Sequence, residues 1–74
     1  MALKSVDSLA ELHQLATIDK QYEKLLCISS SNLGGPSEGI EKCYQWLVTN
    51  ALETDEAGVV AEVNWCIDLV REDS

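Results

Sequence analysis

The chain has 74 residues, of which 46% are hydrophobic and 24% charged. That is one small domain with a thin core, too short for a two-domain enzyme and too apolar for a disordered tail. Thirteen acids against five bases give a formal charge of −8, which argues against a direct nucleic-acid binder or attachment to anionic lipid, because phosphates are neutralised by clustered Lys and Arg.

The chain opens Met1-Ala2-Leu3-Lys4-Ser5-Val6-Asp7, and Lys4, Asp7 and Glu11 interrupt any apolar run of signal-peptide length. Nowhere does an apolar run reach the roughly 18 residues of a membrane-spanning helix. A cytoplasmic protein is expected.

The first helical half covers residues 8–28. Ser8 followed by Glu11 reads as a capping box. Leu9, Leu12 and Ala16 recur at helical spacing, and Tyr22, Leu25, Leu26 and Ile28 continue the apolar signal. Asp19 would fall in the middle of the stripe Leu12, Leu15, Tyr22 and Leu26, where an unpaired charge is costly to bury. Asp is also a good N-cap. A break near Thr17 to Asp19 is predicted, the alternative being one long helix with Asp19 at a solvent seam.

Residues 29–37, Ser29-Ser30-Ser31-Asn32-Leu33-Gly34-Gly35-Pro36-Ser37, read as a linker of turn-forming residues. A helical hairpin over 38–71 follows, with a start signal at Pro36-Ser37. In its first helix Ile40, Cys43, Tyr44, Leu47 and Ala51 share a face, with Leu52 near the edge. Thr54 or Asp55 caps the next helix, predicted from about 57 to 71. Its main stripe is Val59, Val63, Cys66 and Val70, with Val60 and Ile67 beside it. A strand at Gly58-Val59-Val60 is the competing reading, since β-branched residues lower helix propensity. The predicted fold is therefore an all-α single domain over 1–74, a small bundle of three to four short helices.

The last helix is more apolar than one buried stripe requires. Ala61, Trp65 and Leu69 fall on a second line, with Gly58 and Glu62 on the same side. Trp46 likewise lies off the Ile40–Leu47 face of its own helix. One explanation is a central last helix covered on all sides. The other is an exposed patch for a partner or a second copy of the chain. In that reading Gly58 and Ala61 allow close helix approach beside Trp65, and Trp46 is a second anchor. Residues 53–74 hold seven acids against Arg71 alone, a net −6. Glu53, Asp55, Glu56, Asp68 and Glu72 would form an acidic rim that steers toward a basic partner.

Catalytic and metal-binding candidates are few. Cys27, Cys43 and Cys66 form no CxxC pair, match no zinc spacing, and read as reduced, small hydrophobes. His13 is the single histidine and reads as a surface residue. Ser29-Ser30-Ser31 lacks a GxSxG setting, and Gly34-Gly35 lacks the Lys and Ser/Thr of a phosphate-binding loop. No metal, no cofactor and no enzymatic activity are expected.

Asp7-Ser8-Leu9 resembles the Asp-Ser-Leu triplet of acyl carrier proteins, which are also small, acidic and helical. That resemblance implies phosphopantetheine on Ser8. It covers three residues, and the helix and long loop that precede the triplet in that family are missing here.

The expected function is therefore protein binding, as an acidic regulator, inhibitor or adaptor acting through Trp65, Leu69 and Ala61. Self-association through the same patch is expected, since a thin core gains from a homodimer. The alternative is an acidic mimic of nucleic acid that blocks a DNA- or RNA-binding protein, for example a mobile-element inhibitor of host defence. There the acids carry the energy and the tryptophans are structural.

Overall fold

In a computed structural model that describes residues 3–73, the chain folds into four helices. They are α1 (Leu9–Ile18), α2 (Lys20–Asn32), α3 (Ile40–Glu53) and α4 (Glu56–Asp73). There is no strand among the described residues, so Gly58, Val59 and Val60 are helical. α2 and α3 are the central pair, each packing against all three other helices. α4 is not surrounded by helices on all sides.

Each helix end follows from a local residue. Ser8 is extended (φ −153°, ψ 162°) and its Oγ accepts from Glu11 N–H at 3.1 Å. Glu11 Oε1 reaches back one residue further than in a standard capping box, to Asp7 N–H at 2.7 Å. The first break falls at Asp19, as predicted. Its backbone is extended (φ −137°, ψ 119°), and its N–H closes α1 on Leu15 O at 2.9 Å. Its Oδ1 opens α2 by accepting from Gln21 N–H at 2.9 Å. One aspartate thus serves as the C-cap of one helix and the N-cap of the next.

The linker begins later than predicted, because α2 continues through Asn32. Ser29 and Ser30 extend the Tyr22, Leu25 and Leu26 stripe and are fully buried. Small side chains let neighbouring helices come close, which outweighs the poor helix propensity of serine. The two hydroxyls find no hydrogen-bond partner among the described residues. α2 then ends in a Schellman motif, with Gly34 at φ +85°, Gly34 N–H to Ser31 O at 3.0 Å and Gly35 N–H to Ser30 O at 2.8 Å.

α3 starts at Ile40 rather than near Pro36 and Ser37. Gly39, at φ +88°, is its N-cap and supplies no side-chain bond. Cys43 and Leu47 are buried, and Ile40, Tyr44 and Ala51 are packed partly against the core. Of the two candidate caps for α4, Asp55 does the work: its Oδ1 accepts from Gly58 N–H at 2.6 Å. Thr54 ends α3, its N–H and Oγ both donating to Asn50 O. Val59, Val63 and Cys66 are buried as predicted, and Val60 and Ile67 with them. Val70 is exposed instead, although it continues that stripe. Ile28 is exposed as well.

Asp19→Ala removes the side-chain acceptor at the α1–α2 corner. It should lower stability by about 1 kcal/mol, read in thermal unfolding as a fall in Tm of about 4–8 °C. An unchanged Tm would contradict the capping role.

Candidate protein-binding face

Before α1 the chain is extended, and this segment decides which face of α4 meets solvent. Leu3 and Val6 have no place in a helical pattern, yet both are buried, as is Leu9. The polar groups of the segment are held by side chains of distant helices. Arg71 Nη1 donates to Leu3 O at 3.1 Å. Lys4 exchanges two bonds with the Tyr22 hydroxyl, at 2.7 and 3.1 Å. Val6 exchanges two with the Asn64 amide, at 2.8 and 2.9 Å. Leu9 N–H donates to Glu56 Oε2 at 3.1 Å, which places a carboxylate at the positive end of α1.

Residues 3, 6 and 9 therefore meet residues 71, 64 and 56, so the segment runs antiparallel to α4. The spacing matches because three extended residues span about 10 Å, as do seven helical ones. This strap covers the flank of α4 that carries Val60, Asn64 and Arg71. The bundle core covers Val59, Val63, Cys66 and Ile67.

The remaining face is left to solvent. Ala61 is exposed, Trp65 is 54% exposed and Leu69 is 42% exposed. The Trp65 indole N–H makes no hydrogen bond among the described residues. At about 100° per residue, Glu62, Asp68 and Glu72 lie within about 60° of Trp65 around the helix. Gly58 is exposed too, but the cap explains it: a Cβ there would come within 2.8 Å of Asp55 Oδ1.

The structure divides the predicted rim. Asp55 caps α4, Glu56 binds the strap, and Asp68 pairs with Arg71. Glu53 and Glu72 are exposed, Glu62 is half-buried, and none of these three makes a hydrogen bond or ion pair among the described residues. Trp46 sits elsewhere, on α3 against the 33–36 loop. Its indole donates to Leu33 O at 3.1 Å, and its ring lies so close to Gly35 that a Cβ there would collide with it.

The polar residues with catalytic potential are engaged in packing. His13 stacks on Tyr44 with ring centroids 4.1 Å apart, and its Nε2 meets Glu41 Oε2 at 2.7 Å, tying α1 to α3. Ser8 is half-buried and its oxygen serves as a helix cap. All three cysteines are free thiols, with Cys43 and Cys66 buried. Cys27 borders an open groove along α2 with Lys20, Lys24 and Ile28. Burial, the neighbouring Cys43 thiol and the Glu23 and Glu38 carboxylates push the Cys27 thiol up to about 11. Among the described residues no group of three His, Cys, Asp or Glu side chains could hold a metal ion, and no helix is long and apolar enough to cross a membrane.

No protein-family model, curated protein or solved structure matches the chain.

The strap was the element missed in the sequence. Its one signal is an apolar residue at every third position, Leu3, Val6 and Leu9, a period of neither helix nor strand. Tyr22, Asn64 and Arg71 carry no pattern that marks them as its anchors.

The Cys27 thiol, displaced from 9.0 to about 11, should react with iodoacetamide about tenfold more slowly than an unhindered thiol near neutral pH, because the thiolate is the nucleophile and its smaller fraction is only partly offset by its higher nucleophilicity. Its folded-state value is raised, so its contribution to stability is intact below pH 9 and is lost as pH rises toward 11. Alkylation of Cys27 at the rate of a free thiol, followed by mass spectrometry of the native protein, would contradict this.

Proposed function

We propose that this chain is a non-enzymatic protein-binding module, a small acidic regulator, inhibitor or adaptor that acts through the outward face of α4. One observation carries the reading: α4 is covered on two sides, by the core and by the strap, and its third side still presents Trp65 and Leu69 on successive turns. A side chain needed only for folding would have been a candidate for burial under the strap or in the core. Tryptophan is enriched among residues that dominate binding energy, and apolar patches ringed by polar residues mark interaction sites.

The face is preformed on a capped and braced helix. α4 is held by Asp55 at its start and by three strap residues along its flank. A preformed face loses little conformational freedom when a partner docks. The engagement of His13 by Glu41 and Tyr44, and the raised Cys27 thiol, favour a binding role over a catalytic one.

Trp65→Ala in the full chain should cost less than about 1 kcal/mol of stability, against about 3–5 kcal/mol for a tryptophan buried in a core. Coupled to a matrix, the wild-type chain should retain a cellular protein that the equally folded Trp65→Ala and Leu69→Ala chains release. Unfolding of Trp65→Ala would make Trp65 a core residue and overturn the reading. So would an identical set of retained proteins for all three chains.

A further inference from the structure

We infer that the partner of this face is a basic amphipathic helix of another protein, with Lys or Arg flanking its apolar ridge, and not a second copy of this chain. The inference rests on the binding role proposed for α4 and names the chemistry of what binds there.

The shape of the face argues for a helix. Ala61, Trp65 and Leu69 are spaced i, i+4 and i+8, which is one continuous ridge on a helix surface. Such a ridge fits the groove between the corresponding ridges of a second helix. Ala61 keeps the ridge low at one end, while Trp65 and Leu69 raise it at the other.

The charge of the face argues for a basic partner. Glu62, Asp68 and Glu72 flank the ridge, and Glu62 and Glu72 have no ion-pair partner among the described residues. Arg71 points to the strap side, where it binds Leu3 O and Asp68. No lysine or arginine lies on the exposed face itself.

A second copy fits poorly for the same reason. A two-fold interface sets the same patch against itself. It would bring two sets of Glu62 and Glu72 together with no cation of this face to pair them, since Arg71 is already held by Asp68 and Leu3 O, in chains that each carry −8. Physiological salt screens charges beyond about 8 Å, which is too long to relieve carboxylates in contact. Like charges across an interface suppress such pairings. Lysines or arginines on a foreign helix would instead pair with the acids while its apolar ridge covers Trp65.

The test uses the full chain labelled with 5-fluorotryptophan, so that Trp46 and Trp65 give separate fluorine resonances, assigned with Trp65→Phe. The probe is a synthetic amphipathic helix of leucine and lysine. The controls are the same pattern in leucine and glutamate, and a leucine–lysine scramble with no apolar face. The expected result is a saturable shift of the Trp65 resonance with the leucine–lysine helix, while Trp46 stays in place. Binding should weaken about tenfold in Leu69→Ser, as for a neighbour of a hot-spot residue, and should be weaker with both controls.

Equal binding of the glutamate helix or of the scramble overturns the inference. So does binding that leaves the Trp65 signal fixed, or the absence of binding. Sedimentation of the unlabelled chain separates this failure from that of the broader reading. A salt-resistant dimer in which Trp65 is protected would make a second copy the occupant and leave the binding role intact. A monomer whose Trp65 resonance no probe moves, together with unfolding of Trp65→Ala, would overturn both.

Discussion

The arrangement depends on the antiparallel pairing of an extended N-terminal strap with α4. Three backbone positions of the strap, Leu3, Val6 and Leu9, are bonded by Arg71, Asn64 and Glu56. The pairing works because two different geometries share a length: three extended residues and two turns of helix both advance about 10 Å. Each contact satisfies a backbone group that would otherwise be buried without a partner. Burial of Leu3 and Val6 adds about 2 kcal/mol for each side chain. The strap also compensates for the bundle's geometry, since α1 packs on α2 and α3 and the strap carries the chain from α1 across to α4.

Everything about the outward face follows from where the strap lies. An amphipathic helix with one buried stripe would need only Val59, Val63, Cys66 and Ile67. The strap adds a second covered flank around Val60 and Asn64, which accounts for the burial of Val60 but leaves the second apolar line of α4 uncovered. What is left over is narrow: Ala61, Trp65 and Leu69, with Glu62, Asp68 and Glu72 around them. The corners hold this geometry in place. Asp19 serves two helices, Gly34 closes α2, and Trp46 fastens the 33–36 loop to α3. Trp46 and Trp65 therefore have different roles although both fall outside the main stripes, one bonded to a loop and the other open to solvent.

Features set by nearest neighbours were legible in the sequence. The all-helical pattern of three to four helices, the break near Asp19 and the cap at Ser8 depend on residues within one turn, whereas the sequence left the cap of the last helix open between Thr54 and Asp55. The stripe of the last helix was also legible up to Ile67. Val70 departs from it because burial depends on how far the neighbouring helices extend, which periodicity does not encode. The serine run has the composition of a turn, whereas its burial is decided by the approach of other helices. The strap was illegible for the same kind of reason: Val6 and Asn64 are 58 residues apart, and Leu3 and Arg71 are 68 apart. The second apolar line on α4 was visible, but whether it was covered was a question about the strap.

The most direct test of the account is hydrogen exchange at single-residue resolution on the intact chain, read at the Lys4 and Val6 amides. Their acceptors, the Tyr22 hydroxyl and the Asn64 side-chain Oδ1, belong to α2 and α4. If the strap is part of the folded core, both amides should be protected to nearly the same degree as the buried centre of α4, and Asn64→Ala should release Val6. Exchange of Lys4 and Val6 at the rate of an open chain, with α4 still protected, would contradict the account. The Val60 and Asn64 flank would then be exposed, and Trp65 would no longer mark the one face of α4 that core and strap leave open.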